Sequence, residues 1–341
     1  MEVSILQKSP SDSVLELLRR RREQGSRPGE RRRGDTARLA VLVEGGGMRG
    51  VISAAMLTAL EDLGFKNAID GVYGCSAGAM NAAYFLSSVE TWYYLSIYFD
   101  NLSNREFVDF VRVLRGRDIM NLEYAFDEVV SHHKPLDFQA VLQSAIPLTI
   151  VLTMADTATA ERVSTFVSVG DLREALIAAC WLPIARRGSA WFRGRSALDG
   201  GILTPDLTVP AREDGFTHFL YLRTQPETGQ VRGSKLFRRG MARYFERLAP
   251  GLGYAYRRSW SVQANASSRI PGSILQVRPH VGGQRLTRHE IGSAKLLQAA
   301  RTAYTRTVEI LEGPKAQAFD VVPRFVVHRA QALTAPSRAI P

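Results

Sequence analysis

Three short stretches carry residues that could do chemistry together. Residues 74–78 read Gly-Cys-Ser-Ala-Gly, the G-x-S-x-G form of a nucleophile elbow centred on Ser76. The requirement is steric. A tight strand-to-helix turn can expose a strained serine only if its neighbours two positions away, Gly74 and Gly78, are nearly free of side chain. Residues 44–50, Glu-Gly-Gly-Gly-Met-Arg-Gly, hold three successive glycines. Gly45, Gly46 and Gly47 let the backbone come close to a ligand and turn several N–H groups into one concavity. Beside an elbow serine that concavity would hold the oxyanion of a tetrahedral intermediate. The third stretch, Leu198-Asp199-Gly200-Gly201, supplies the base that a serine nucleophile needs.

Each stretch alone also has a plainer reading. Glycine-rich turns between strand and helix are common for packing reasons, and a lone Asp-Gly-Gly is usually a turn. A phosphate loop is disfavoured, because residues 44–50 lack the terminal Lys-Ser/Thr of a P-loop and the G-x-G-x-x-G spacing of a dinucleotide site. What separates the three from chance is their order along one chain, each at an expected strand end.

The elements that must position them alternate. Apolar runs of strand length fall at 38–45, 68–75, 148–155, 217–224, 273–279 and 321–328. Helical patterns fall at 51–64, 77–87, 169–180 and 288–311; in the first, Ile52, Met56, Ala59, Leu60 and Leu63 share a face and Gly64 is a stop. Strands apolar throughout and alternating with helices imply a three-layer α/β/α fold with a mostly parallel central sheet. In such a sheet ligands gather at the carboxyl ends of the strands.

The chain has 341 residues, enough for one large α/β domain or two modest ones. Its two cysteines, Cys75 and Cys180, form neither a disulfide framework nor a metal site. The start of the chain lacks the pattern of a signal peptide, and no apolar run has the length of a spanning helix, so a cytoplasmic protein is expected, with contact to a membrane only at its periphery. The net charge of +11 is uneven. Residues 19–33 hold eight arginines and two glutamates, and residues 232–260 hold seven arginines, one lysine and one glutamate. Without these segments the remainder carries −2. Residues 1–36 read as a basic, disordered arm with one short helical piece at its apolar stretch, residues 37–328 as the main domain, and 329–341 as a loose tail. Nucleic-acid binding through the arm is disfavoured, because no recognition helix, zinc finger or aromatic RNA-binding pattern accompanies the charge.

The three motifs in this order resemble the patatin-like phospholipases, and the intervening residues 172–188 strengthen the resemblance. It covers residues 38–225, and more weakly the chain to about residue 310. It implies a serine acyl hydrolase acting on lipid esters, with Ser76 as nucleophile and Asp199 as general base of a Ser–Asp dyad. It assigns oxyanion-hole amides to Gly45, Gly46, Gly47 and Met48, makes Arg49 the basic position of the glycine loop, and gives Gly50, Gly74, Gly78, Gly200 and Gly201 supporting places in the motifs. No cofactor or metal is implied. The arginines of residues 180–194 depart from what an acyl pocket suggests, and Asp206 receives no role.

A Ser–Asp–His hydrolase is the mechanistic rival. The downstream histidines His218, His280, His289 and His328 stand in no glycine-flanked strand-end loop, so the dyad is preferred. A rival of another class is a lipid- or partner-binding protein on the same fold with negligible turnover. Residues 235–251 would form a basic amphipathic helix, with Phe237, Met241, Tyr244, Phe245 and Leu248 on one face and Arg238, Arg239, Arg243 and Arg247 mainly on the other. Either the apolar face packs on the sheet, or the helix lies on an anionic membrane through Arg238, Arg239 and Arg243.

Overall fold

Leu39–Val43 is apolar at all five positions and forms strand β1, buried along its whole length. Its side chains divide between two faces. Leu39, Val41 and Val43 enter one core cluster, and Ala40 and Leu42 enter another. A strand whose alternate side chains are both buried must lie inside a sheet covered on both sides. The computed structural model describes residues 10–30, 35–226, 235–266, 273–280 and 285–313.

The other strands are β2 (Gly71–Gly74), β3 (Leu148–Met154), β4 (Thr159–Val163), β5 (Ala190–Phe192), β6 (Arg195–Asp199), β7 (His218–Leu222) and β8 (Ser273–Val277). Their order is β5-β6-β3-β2-β1-β7-β8, with β4 pairing β3. The central pairs β3-β2, β2-β1, β1-β7 and β7-β8 are parallel. Strands β4, β5 and β6 join antiparallel at one side, so the sheet is mixed.

The helices are α1 (Pro10–Glu23), α2 (Gly50–Asp62), α3 (Ala77–Leu86), α4 (Thr91–Leu95), α5 (Phe138–Leu142), α6 (Val169–Ala179), α7 (Thr208–Glu213), α8 (Lys235–Leu248), α9 (Leu252–Ala266) and α10 (Ser293–Glu312). Helix α2 packs against α3 and α10, while α3 and α6 lie on the sheet. Leu207, Ala211 of α7 and Phe216 cover the opposite face of β1 and β7. This is an α/β fold with helices flanking a mixed, largely parallel sheet. The expected strand at 321–328 and the tail at 329–341 lie outside the described residues.

Two expectations need correction. Helix α10 starts at Ser293, not at residue 288, so residues 288–292 are free to form a separate turn against the glycine loop. The basic N-terminal segment is also no loose arm over its described part. Val14, Leu17 and Leu18 of α1 are buried in the main core. Arg21, 1% exposed, donates to Asp35 (2.8 Å), Asp70 (2.6 Å) and the carbonyls of Ala68 (2.9 Å) and Ala37 (2.6 Å). Arginine-rich composition reads as solvated, but a guanidinium with this many acceptors can be buried.

Candidate active site

Strand register brings the motifs together. Val43 of β1 pairs with Gly74 of β2 and with Leu222 of β7, so all three chains leave the sheet at one level. Their next residues are the glycine loop, the elbow, and Arg223-Thr224. On the other side of β2, Gly74 pairs with Ile150 of β3, and two residues further on Leu152 pairs with Asp199 of antiparallel β6. Asp199 thus stands at the level of Ser76, reached from a strand running the opposite way.

Ser76 has φ 54° and ψ −144°, a backbone region that glycine favours. Holding a serine there requires the surroundings to over-determine it. A β-carbon on Gly78 would overlap the carbonyl of Val43, and one on Gly74 would stand 2.6 Å from the Ala79 α-carbon. Gly200 leaves room for the Val151 carbonyl in the same way, while Gly50 at the start of α2 makes room for the Tyr98 hydroxyl.

Asp199 is buried and accepts from the Gly201 amide at 2.8 Å. Burial raises its pKa above the ordinary carboxylate value; the Gly201 amide, the Ser76 hydroxyl and the positive charge of Arg288 each pull part of the way back. The carboxyl is therefore a stronger base than a solvated aspartate while it faces the serine hydroxyl.

In the glycine loop, Gly46 (φ 145°) and Gly47 (φ 58°) both need positive φ, which turns successive amides inward. Among the described residues the amides of Gly46 and Gly47 have no hydrogen-bond acceptor. The Gly45 amide, also expected among the oxyanion donors, is instead directed at the Cys75 thiol. The Met48 amide, expected among the oxyanion donors, instead donates to the Arg288 carbonyl at 2.9 Å, because the 3-10 turn from Gly47 to Arg49 rotates it away. Ala77 was not singled out in the sequence, yet its amide opens α3 and lies 3.2 Å from where a Gly45 β-carbon would be. The elbow rule, which gives the residue after the nucleophile an oxyanion role, was the available signal.

Arg49 packs its guanidinium behind Gly46, and burial together with the charge of Arg288 lowers its pKa to about 10. Glu44 secures the loop from the other side, accepting from the Thr224 amide at 2.6 Å, while the Thr224 hydroxyl donates to the Gly45 carbonyl at 2.9 Å. Asp206 has a structural place, accepting from the Thr208 amide (2.9 Å) and hydroxyl (2.7 Å) at the start of α7.

Ser76, Asp199 and Gly45–Gly47 all line one cavity of about 510 Å³. The rest of its wall is mainly apolar, including Met80 and Tyr84 of α3, Phe126 and Val130 from the helical turn Tyr124–His133, and Phe245 of α8. Met80 and Tyr84 follow Ser76 at four-residue steps, so the cavity runs roughly 12 Å along α3 at 1.5 Å per residue. No described histidine lines it. His218 lies within β7 beside Thr217, and His289 stacks edge-on against Phe110. Arg186, Arg187 and Arg193, the arginines whose presence departs from the expectation for an acyl pocket, stay out of its wall and pair with Glu123, Asp118 and Asp171.

The patatin-like phospholipase family model matches residues 41–212. The chain belongs to that family. The match runs from β1 through the glycine loop, the elbow and the Asp-Gly-Gly turn into α7, so it contains every residue of the patatin-like site described above except those after residue 212. The uncharacterized protein YjjU of Escherichia coli K12 is 32% identical over 94 residues, which is 28% of this chain and only 26% of that protein's length. Among solved structures, VipD of Legionella pneumophila is similar with a TM-score of 0.44 and 15% identity over 82% of this chain and 67% of its own. The type III effector protein ExoU is similar with a TM-score of 0.34 and 13% identity, covering 80% of this chain and 53% of that one.

Proposed function

We propose that this patatin-like protein hydrolyses acyl esters of lipids through a Ser76–Asp199 dyad and an acyl-enzyme. The observation that carries the reading is the shared cavity. A strained serine and a buried carboxyl of raised pKa meet in the wall of one mainly apolar chamber. Ser76 Oγ attacks the ester carbonyl while Asp199 accepts its proton. The oxyanion is held by amides of Gly46, Gly47 and Ala77, and the alcohol leaves with the proton that Asp199 holds. Water then attacks the acyl-enzyme, with Asp199 again taking a proton, and Ser76 is released. The acyl chain lies along α3 between Met80 and Tyr84.

Residues of α8 bear on access. Phe245 is buried and Met241 half-buried in the cavity wall, so the middle of this helix turns its apolar face inward, while Phe237 near its start is exposed. Arg239 and Arg243 are exposed and Arg238 is half-buried, leaving a basic outer face for an anionic membrane. This arrangement supports a peripheral enzyme that meets its lipid at that surface.

A fluorophosphonate probe tests the reading. The wild type should be labelled, Ser76→Ala should not, and Asp199→Asn should label far more slowly. Labelling that survives loss of Ser76, or a wild type that binds lipid but never labels, would replace the hydrolase with a lipid-binding protein on the same fold.

A further inference from the structure

Residues 110–114 carry a concentrated group of exposed apolar side chains. Phe110, Val111 and Val113 are about half exposed, and Leu114 is 87% exposed. All four belong to the 3-10 turn Phe110–Arg115. Residues 110–117 also carry Arg112, Arg115 and Arg117 and no acidic residue. Scattered exposed apolar residues need no explanation, but four within five positions, interleaved with arginine, do.

The turn is fastened to the cavity at its base. Phe107 and Met120, which both line the cavity, flank the excursion. It is closed by the Val108–Met120 bridge, by the Asp109 amide donating to the Ile119 carbonyl (2.9 Å) and by the Asn121 amide donating to the Phe107 carbonyl (2.9 Å). Ile119 and Met120 both donate to the carbonyl of Ala185 (3.0 and 3.1 Å), next to Ile184. Ile184 lines the cavity and is 46% exposed, as Phe237 of α8 lines it and is 59% exposed, so the cavity reaches the surface between them. Tyr244 of α8 donates to Pro183 at 2.7 Å, holding the two sides of this opening together. Phe110 meanwhile stacks on His289, the neighbour of cavity-lining Arg288.

We infer that the turn at residues 110–115 is the docking surface by which this protein seats on an anionic lipid bilayer, with Val113 and Leu114 inserted among the acyl chains and Arg115 and Arg117 against the headgroups. The occupant is fixed by chemistry. Asp109 caps the turn through the Val111 amide and Asp118 pairs with Arg187, so the charges carried on residues 110–117 themselves are all positive. An apolar tip with such charges matches a surface that is apolar inside and negative outside. Its attachment beside the opening gives a lipid a short apolar path from bilayer to Ser76. The inference rests on the acyl-hydrolase reading for its purpose, and it assigns a surface separate from the basic face of α8.

Co-sedimentation of the full chain with phosphatidylcholine vesicles, with and without a minor fraction of phosphatidylglycerol, tests it. Val113→Glu/Leu114→Glu should lower partitioning to both vesicle types by about tenfold or more, since apolar insertion is lost. Arg115→Glu/Arg117→Glu should lower it about tenfold or more only on vesicles containing phosphatidylglycerol, because each basic residue adds attraction to anionic lipid. Both variants should hydrolyse a short soluble ester at the wild-type rate. Variants that bind vesicles as well as the wild type overturn the inference. So does a wild-type dimer that Val113→Glu/Leu114→Glu dissolves without loss of vesicle binding. If the wild type resists fluorophosphonate yet binds vesicles through this turn, the hydrolase reading falls and the docking surface stands.

Discussion

A β-carbon on Gly45 would stand 2.5 Å from the β-carbon of Ser76. The glycine loop and the elbow therefore touch backbone to side chain, a consequence of the Val43–Gly74 register one step earlier. Gly45→Ala must push one of them away. A displacement of about 1 Å at a reacting group can cost on the order of a hundredfold in rate, so kcat/KM on a soluble ester should fall by about that much. Steady-state kinetics beside a thermal melt checks this. A variant of near wild-type activity would show that the contact has no bearing on the reaction.

Backbone strain at Ser76 makes a second expectation, opposite in sign for stability and activity. Relieving an unfavourable φ/ψ contributes about 1–3 kcal/mol, less the roughly 0.5–1 kcal/mol of extra freedom that glycine gives the unfolded chain. Ser76→Gly should melt higher than Ser76→Ala, while neither reacts with fluorophosphonate. Equal melting of the two would mean that the serine is held without strain.

The parts of the site legible in the sequence are those that obey local rules. Ser76 and Gly45–Gly47 stand in fixed relation to the strand ends that precede them, and parallel neighbours bring such ends together. Asp199 was legible as a residue but not as a direction, since nothing local shows that β6 runs antiparallel to β3. Arg288 was hidden, because its electrostatic link to Asp199 comes from residues 288–292 folding back over the glycine loop instead of continuing helix α10. Met48 misled for the same reason: its motif position suggests an oxyanion donor, but the Arg288 carbonyl occupies its amide. Arg21 was masked by composition, where a run of arginines suggests solvent and only the tertiary placement of Asp35 and Asp70 shows otherwise.

The raised pKa of Asp199 gives a pH signature. As the base, Asp199 must be ionised, so the acid limb of kcat/KM should lie above the ordinary carboxylate range. Arg288 favours the ionised form, and Arg288→Gln should move that limb to still higher pH. Stability runs the other way. A carboxyl whose folded pKa is raised loses stability as pH rises through that value, because the ionised form is disfavoured by burial. Asp199→Asn should thus raise Tm, and the gain should grow with pH across the same window. A gain independent of pH would disconnect Asp199 from both effects.

Arg21 joins α1 to the amino-terminal ends of the central strands β1 and β2 through Asp35 and Asp70. Removing one partner of a buried pair leaves charges without compensation and costs about 3 kcal/mol or more. Arg21→Ala should destabilise by that amount in urea titration, and Arg21→Lys should recover little, since one ammonium cannot reach all four acceptors. Wild-type stability in Arg21→Ala would return residues 10–30 to the role of a dispensable arm.

The chamber along α3 sets the last expectation. Ala125 lines it beside Phe126 and Val130 on the helical turn Tyr124–His133, and Tyr84 lines it roughly 12 Å along α3 from Ser76. A benzyl group at position 125 takes space that an acyl chain would otherwise fill. If it excludes about three methylenes, each worth about 0.8 kcal/mol on burial, long-chain esters should lose on the order of fiftyfold in kcat/KM. A short-chain ester fills less of the chamber and should be turned over at close to the wild-type rate. Ala125→Phe is therefore best read as a ratio of long-chain to short-chain kcat/KM, which cancels any general loss of folded enzyme. A ratio equal to that of the wild type would place the acyl chain elsewhere and leave the wall at residues 125–130 without a role in binding it.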